Sequence, residues 1–506
     1  MASLPDGLEP FLPAVAVWFR NALGVPTPAQ REAWPSIREG RHTLIAAPTG
    51  SGKTLAAFLA CLDHLWRHPD RPRGVGILYV SPLKALNEDI ASNLERPLQE
   101  IRATAEDLGH SLTPLSVAVR TGDTPASQRQ RLVRQPADIL ITTPESLHLL
   151  LTSRARDTLR AVSHVLVDEI HALCPNKRGV FLSLLLERLE AIRANGFIRV
   201  GMSATQRPLE EAARYLGGRQ RVLGENGVAG YRDRPVRVVD AGNRKPLDLQ
   251  VVTPAALGVP VPGGTIWPDV ESRIASWIES HRSTIVFANN RRLVERLTTR
   301  LNERANEGRP PDAEPRRLAL SHHGSLSLER RRGTEEQLKT GQLPAVVATA
   351  SLELGIDMGA VDLVVQIESP GGVARGLQRV GRSGHLVGQT SKGRLVATTR
   401  GDLLEMAALA RAMEHAQVEA LRVPTDCLDL LAQQMVACVA VDHWDAPALF
   451  ELVRRAYPYR NLPVEAFERV LEMVSGRFGL DSFRDLKPRI VWDRIHNRLH
   501  PLPGTR

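Results

Sequence analysis

Ala47-Pro48-Thr49-Gly50-Ser51-Gly52-Lys53-Thr54 follows the apolar run His42-Thr43-Leu44-Ile45-Ala46 and precedes Leu55, Phe58, Leu59, Leu62, Leu65 and Trp66 at helical spacing. A strand, a glycine-rich turn and a helix in this order build a phosphate cradle: consecutive backbone N–H groups and the helix N-terminus face an anion. Lys53 would reach the outer phosphates of a nucleoside triphosphate and Thr54 would ligate Mg²⁺, with Thr49, Gly50, Ser51 and Gly52 forming the loop. Ala47 stands where the strict pattern has glycine, so the motif by itself also fits an ordinary glycine-rich turn. A second strand pattern, His164-Val165-Leu166-Val167, ends in Asp168-Glu169-Ile170-His171. An acidic pair after a strand is commonly a loop start or helix cap; beside a phosphate cradle it supplies what the cradle lacks. Asp168 can hold the metal, and Glu169 can orient and deprotonate the water that attacks the γ-phosphate. Two strand tips thus predict one ATP-hydrolysing site.

Working outward, apolar β-branched runs alternate with helical patterns from Thr43 to Thr205, through Gly76–Val80, Leu115–Val119, Asp138–Ile141, Val165–Val167 and Arg199–Met202. That alternation predicts an α/β fold with a doubly wound parallel sheet covered on both faces. A Pro- and Gly-rich stretch from Ala255 to Pro268 interrupts it. The pattern restarts at Ser283–Phe287, Ala345–Ala348 and Val361–Val365, a second α/β unit without its own phosphate loop. From about Thr425 amphipathic helices take over, around Leu428–Val436, Leu449–Val453 and Phe467–Val474, before a β-like segment; this fits a mostly helical winged-helix domain. At 506 residues the chain is too long for one core and should hold about three domains.

The net charge of +9, carried largely by arginine, suits a surface that meets phosphates, although a basic balance also arises without such a partner. Cys61, Cys174, Cys427 and Cys438 form no CxxC pair, which argues against disulfides or a zinc site and fits a reducing cytoplasm. The N-terminus lacks the basic start and length of a signal peptide, and no apolar run approaches a membrane span.

Further segments stand at the strand ends: Val80-Ser81-Pro82-Leu83-Lys84-Ala85-Leu86, Arg120-Thr121-Gly122-Asp123, Thr142-Thr143-Pro144-Glu145-Ser146-Leu147, Ser203-Ala204-Thr205, Ala348 to Asp357, and Gln378-Arg379-Val380-Gly381-Arg382-Ser383-Gly384-His385. In this order they resemble the motif series of superfamily 2 DEAD/DEAH-type helicases, whose core is two RecA-like domains facing across an ATP cleft. Asp168–Leu173, Ser203–Glu210, Asn289–Leu293, Gln378–His385 and Arg454–Arg460 narrow the resemblance to the core of the large-helicase-related (Lhr-type) family, over nearly the whole chain. The resemblance implies two tandem RecA-like domains at 1–224 and 225–424, a winged helix at 425–490, and at 491–506 only the start of a further domain. It also implies ATP and Mg²⁺ as cofactors, 3′ to 5′ tracking on single-stranded DNA, unwinding of DNA or RNA:DNA duplexes, and a role in DNA repair. The chain is expected to work in the cytoplasm as a monomer on tailed nucleic acid. With most of the further domain expected to be absent, unwinding is expected to be weak.

Site roles follow the same resemblance. Gln30, in Pro26-Thr27-Pro28-Ala29-Gln30, would pair with the adenine edge, or else is a surface residue near a helix start. Gly355 and Asp357 would contribute to the nucleotide site. Arg382 would reach the γ-phosphate on closure of the cleft, or else form a surface salt bridge; His385 stands where a further arginine is common, so Arg379 is the second candidate. His171, Ser203, Thr205 and Gln378 would couple ATP to the strand track, or serve as satisfied core polar groups. The hydroxyls and N–H groups of Ser81, Thr142, Thr143 and Thr349, with Arg120, Arg291 and Arg292, would hold phosphates across the tops of both sheets. Aromatic residues make up only 4%, so extensive base stacking is not expected. An RNA helicase and an ATP-switched clamp that does not unwind are the competing readings, since phosphate contacts alone do not separate DNA from RNA.

Overall fold

The computed structural model describes residues 7–48, 50–193, 196–204, 206–223, 229–242, 246–255, 265–310, 312–353, 361–384, 389–477 and 487–505. In the first α/β unit, β1 (His42–Ala46), β2 (Ile77–Val80), β3 (Val117–Arg120), β4 (Ile139–Thr142), β5 (His164–Val167) and β6 (Ile198–Ser203) join a seven-stranded sheet. After the hairpin of β7 (Arg219–Leu223) and β8 (Ala229–Asp233), the chain returns to that sheet as β9 (Val236–Asp240), and the order is β3-β4-β2-β5-β6-β1-β9, parallel throughout. Successive side chains on a strand point to opposite faces, so both faces must be apolar when helices cover both. Ile77 and Tyr79 accordingly enter the core that holds Phe58 and Ile101, whereas Leu78 and Val80 enter the one that holds Leu182 and Leu186.

The second unit repeats the plan with β10 (Leu247–Val252), β11 (Thr284–Phe287), β12 (Ala319–His322), β13 (Ala345–Ala348), β14 (Leu363–Ile367) and β15 (Ser391–Val396), in the order β10-β15-β14-β11-β13-β12. These are also parallel. The α/β expectation of two tandem RecA-like parallel-sheet domains therefore holds. Helices Leu428–Val439, Ala446–Arg455 and Val464–Val474 then pack with a small antiparallel sheet of β16 (Trp444–Asp445), β18 (Arg498–Pro501) and β17 (Ile490–Asp493) to form the winged helix.

Two expected boundaries move. The first domain does not stop at 224, because β9 pairs with β1 along its full length and Val239 is buried in the core beneath it. Residues 491–501 do not open a further domain: β17 and β18 form the wing, and Trp492 and Leu499 fill the winged-helix core. Short polar-flanked strands of this kind carry too little apolar periodicity to be assigned to a sheet without their partners.

The helix Lys177–Ala191, which follows the short helix Ile170–Leu173 after the Asp168–Glu169 turn, is buried from Gly179 through Leu189. A helix enclosed on all sides needs two partners. One is the first sheet, through Leu182, Leu185 and Leu186; the other is the winged helix, whose core takes in Val180 and Leu184. The same helix buries Glu187, which is 1% exposed. Its Oε1 accepts from Arg199 and Arg234 at 2.9 Å each, and its Oε2 accepts from Arg234 at 2.9 Å and from Arg455 of the winged helix at 3.0 Å. Arg188 donates to Gln434 at 2.7 Å, and Arg156 makes a two-pronged pair with Asp442. The winged helix is fixed to the first domain by charge as well as by apolar packing.

Burial would raise the Glu187 pKa, but Arg199, Arg234 and Arg455 outweigh it and hold the group at about 2. A depressed carboxylate pKa adds stability above its ordinary value of 4.5, and that stability is lost as pH falls toward 2. Glu187→Gln leaves three arginines around an uncharged amide and should cost about 3–5 kcal/mol in denaturant unfolding at pH 7. The difference between the two proteins should shrink as the pH is lowered from 4.5 toward 2; an equal gap at both ends of that window would contradict the assignment.

Candidate ATP and nucleic-acid site

Parallel strands bring their C-terminal ends to one edge, and in the first sheet the segments after β1, β2, β4, β5 and β6 start there. In the second domain Ser383 and Gly384 lie at the opposite end of their sheet, where the Gly384 N–H donates to the Val361 carbonyl at 3.1 Å and Ser383 Oγ to the Lys392 carbonyl at 3.0 Å. The phosphate loop leaves β1, the acidic pair leaves β5, and β6 runs between those two strands. Gly50 and Gly52 both have φ of 79°, in the left-handed region. A Cβ on Gly52 would also sit 2.7 Å from Gln30 Nε2. The loop therefore needs glycine here for backbone conformation and for close approach. Lys53 begins the following helix, and its Nζ donates to the carbonyls of Ala47 at 2.6 Å and Pro48 at 2.7 Å. The ammonium is held over the loop, where phosphate oxygens would compete for the same protons.

Gln30 is buried, not a surface residue. Its Oε1 accepts from the Thr27 N–H at 2.8 Å in a capping box, and Thr27 Oγ1 donates to the Ser51 carbonyl at 3.0 Å. The helix start that carries Gln30 is thereby tied to the phosphate loop.

Asp168 is buried at the tip of β5. Its carboxylate accepts from the Tyr79 hydroxyl, by a short hydrogen bond, and from the Glu169 N–H at 2.9 Å. Burial and the neighbouring Glu169 charge raise its pKa to about 6, with Tyr79 and Lys53 acting against them. Two carboxylates placed together at the edge of a phosphate loop form a donor set suited to a hard cation. Glu169 has φ of 45°, so a non-glycine residue takes the left-handed turn that starts the helix Ile170–Leu173. Such strain costs on the order of 1–3 kcal/mol and persists where the surroundings impose it.

His171 connects the acidic pair to β6. Burial, and then Lys53, lower its pKa to about 4, so it is neutral at pH 7. Its Nδ1 accepts from the Ala204 N–H at 3.2 Å and lies 3.4 Å from Ser203 Oγ, which puts the ring proton on Nε2. The Ser203 carbonyl in turn accepts from the Ala47 N–H at 3.2 Å. One segment at the end of β6 thus touches both the phosphate loop and the His171 ring.

The strand track differs from its expected form. Ser81 and Thr142 are 0% exposed and Thr143 is 2% exposed. Their hydroxyls are engaged locally: Ser81 with the Leu83 backbone, Thr142 with the Arg120 carbonyl, and Thr143 as the cap that accepts from the Ser146 N–H. Buried hydroxyls must find partners, and the nearest are backbone groups of the same turn. These residues shape the loops and do not offer hydroxyls at the surface. Arg120 and Thr349 are half-buried, while Arg291 and Arg292 are exposed at the start of a helix capped by Asn290. Arg291 donates to Ser325 Oγ.

In the second domain Arg379 is 3% exposed and pairs with Glu353; it also donates to Gln366 Oε1 at 2.7 Å and lies 5.1 Å over the Phe287 ring. Its side chain is held by partners of its own domain. Arg382 is 2% exposed and donates to the Glu353 carbonyl at 2.7 Å, so it is buried and not a surface cation. Gln378 is half-buried on the same helix. Thr49, Thr205, Gly355, Asp357 and His385 lie outside the described residues. Tyr79 and Glu353 went unremarked as site residues; the strand position of Tyr79 beside the acidic pair, and the acid beside the arginine-rich Gln378–His385 segment, were the available signals.

Residues 27–212 match the DEAD/DEAH box helicase family and residues 270–386 the helicase conserved C-terminal domain. Residues 411–502 match the winged-helix domain of the large helicase-related protein. The chain belongs to the large helicase-related family. An Lhr helicase/probable uracil glycosylase of Mycolicibacterium smegmatis is 46% identical over 99% of this chain and 34% of its own length. The Lhr helicase/uracil glycosylase of Escherichia coli K12 is 43% identical over 99% of this chain and 35% of its own length. The chain therefore spans about a third of these two curated relatives. The solved Mycobacterium smegmatis helicase Lhr, bound to ssDNA and AMP-PNP, superimposes with a TM-score of 0.89 at 48% identity, over 99% of this chain and 61% of that one.

If Glu169 activates the attacking water and Lys53 holds phosphate, Glu169→Gln should abolish ATP turnover while ATP and DNA binding persist. Lys53→Ala should weaken nucleotide binding as well. Binding of a fluorescent ATP analogue, measured beside phosphate release, separates the two; parental turnover in Glu169→Gln would remove Glu169 from the role.

Proposed function

We propose that the chain is an ATP-dependent translocase that tracks 3′ to 5′ on single-stranded DNA and unwinds DNA or RNA:DNA duplexes in DNA repair. The observation that carries the ATP-driven part of this reading is the contact of the β6 end with both halves of the ATP site. A shift of the phosphate loop would bear on Ser203 through the Ala47 N–H, and a shift of the acidic pair would bear on the same segment through His171. The relative solved with ssDNA and AMP-PNP supports single-stranded DNA and an adenine nucleotide as the ligands.

Lys53 withdraws the charge of the outer phosphates, and Glu169 orients the attacking water and accepts its proton. The Thr54 hydroxyl and the Asp168 carboxylate would hold Mg²⁺, which when bound neutralises phosphate charge. Arg382 would complete the site when the second domain closes and its guanidinium leaves the Glu353 carbonyl. Arg120, Arg291 and Arg292, with loop N–H groups, would grip the strand by its phosphates. No helix among the described residues is long and apolar enough to cross a membrane.

Arg382→Ala should lower DNA-stimulated turnover toward the roughly 10³ to 10⁵-fold loss seen on removing an arginine finger. Arg379→Ala should chiefly lower the melting temperature. A full loss of turnover in a well-folded Arg379→Ala protein would reverse the two roles.

Because the proposed contacts go to phosphates, affinity for single strands should fall with salt at a log–log slope of about −0.7 per neutralised phosphate, with little dependence on sequence. Replacing Arg291 and Arg292 by alanine together should flatten that slope. ATPase and strand displacement on 3′-tailed and 5′-tailed duplexes, in DNA and hybrid form, test the polarity. Stimulation by RNA alone would favour the RNA-helicase reading, and turnover without displacement the clamp.

A further inference from the structure

Arg178 belongs to none of the motif segments, yet it touches two of them. It is the second residue of the helix Lys177–Ala191, which starts just after the helix Ile170–Leu173 that follows the acidic pair. Its Nε donates to Glu145 Oε1 at 2.5 Å and its Nη2 to Glu145 Oε2 at 2.8 Å, a two-pronged pair. Its Nη1 donates to the Pro82 carbonyl by a short hydrogen bond. Pro82 lies in the loop after β2, and Glu145 in the first turn of the helix after β4.

The ground under Arg178 is rigid. Asn176 caps its helix by accepting from the Arg178 N–H at 2.9 Å and the Gly179 N–H at 3.3 Å. A Cβ on Gly179 would lie 2.1 Å from the Leu173 carbonyl oxygen, so the two helices meet backbone to backbone. Tyr215 donates to the Gly179 carbonyl at 2.9 Å. From Asp168 to Arg178 the chain has little slack. The two loops are themselves joined by the Ser81 N–H, which donates to the Thr142 carbonyl at 3.0 Å.

We propose that Arg178 is a positioning residue: resting on the strand-binding function above, it fixes the loops after β2 and β4 to the helix leaving the ATP site, so that strand contact and the acidic pair move as one unit. A stabilising role alone explains the arrangement poorly. Arg178 is 34% exposed and Glu145 56% exposed, and pairs so open to water add little to stability even when two-pronged. The geometry is specific instead: a planar fork that joins a carboxylate and a carbonyl on different loops is a pattern that lysine cannot reproduce.

The experiment measures ATPase activity against single-stranded DNA concentration in the full chain, for the parent, Arg178→Lys, Arg178→Ala and Glu145→Gln. The half-saturating DNA concentration should rise about tenfold in each variant, within the range found for residues that couple sites, while turnover at saturating DNA stays within about twofold. Glu145→Gln discriminates most sharply. Removing an acid near a phosphate track strengthens binding if charge alone matters, whereas loss of the tie weakens it. The salt slope adds a second reading: a positioning role keeps it at the parental value, and a direct phosphate contact by Arg178 reduces it by about 0.7. Parental half-saturation in both Arg178→Lys and Glu145→Gln would overturn the proposal, as would tighter binding in Glu145→Gln or a reduced slope in Arg178→Ala. A parental chain that DNA does not stimulate overturns the function itself, and is distinguished by the parent alone.

Discussion

Glu187 sits fully buried on a helix that is itself enclosed, and Arg199 from β6, Arg234 from the turn before β9 and Arg455 from the winged helix all converge on it. A carboxylate can be buried only with its charge answered, and three guanidinium groups can meet only around something that answers theirs. Glu190 takes part of the excess through Arg199 at 2.7 Å. This one constraint joins the centre of the first sheet, its edge and the third domain. The helix that carries it begins beside the Asp168–Glu169 turn, so the placement of the winged helix and of the acidic pair depend on the same rigid segment.

The site edge follows from what the sheet does with strand ends. Because the strands of the first sheet are parallel, the loops after β1, β5 and β6 emerge on one side, and strand order decides which are neighbours. β6 between β5 and β1 puts Ser203 and Ala204 within reach of His171 and of Ala47. His171 and Ser203 are ordinary in type; their buried hydrogen bonds give them direction. A protonated His171 would present two donors and could not accept from the Ala204 N–H, so burial that keeps the ring neutral is also what maintains the link.

The second domain handles its arginines differently. Glu353 receives Arg379 on its carboxylate and Arg382 on its carbonyl, so one residue organises two cations of the same helix region. Arg379 also lies over Phe287 and donates to Gln366, so its guanidinium is held from three sides. Arg382 donates to the Glu353 carbonyl, and a charged phosphate oxygen competes well for such a donor.

The sequence by itself determined the two parallel sheets, the phosphate loop, the acidic pair and the winged-helix helices, because each rests on local pattern. Apolar runs with the periods of buried strands, glycines where the backbone needs positive φ at Gly50 and Gly52, and helical stripes after Thr425 are all properties of short windows. Tertiary structure alone decided the rest. β9 and the wing strands gain their identity from partners far away in the chain, and Trp492 is a core residue only because helices brought a core to it. Ser81, Thr142 and Thr143 read as surface hydroxyls, yet close packing of the loops turned them inward, where backbone groups were the nearest partners. Arg379 and Arg382 are three positions apart and equivalent as text. Which is locked and which is tethered depends on Glu353, Gln366 and Phe287, and residue type encodes charge without fixing the neighbours that hold it in place.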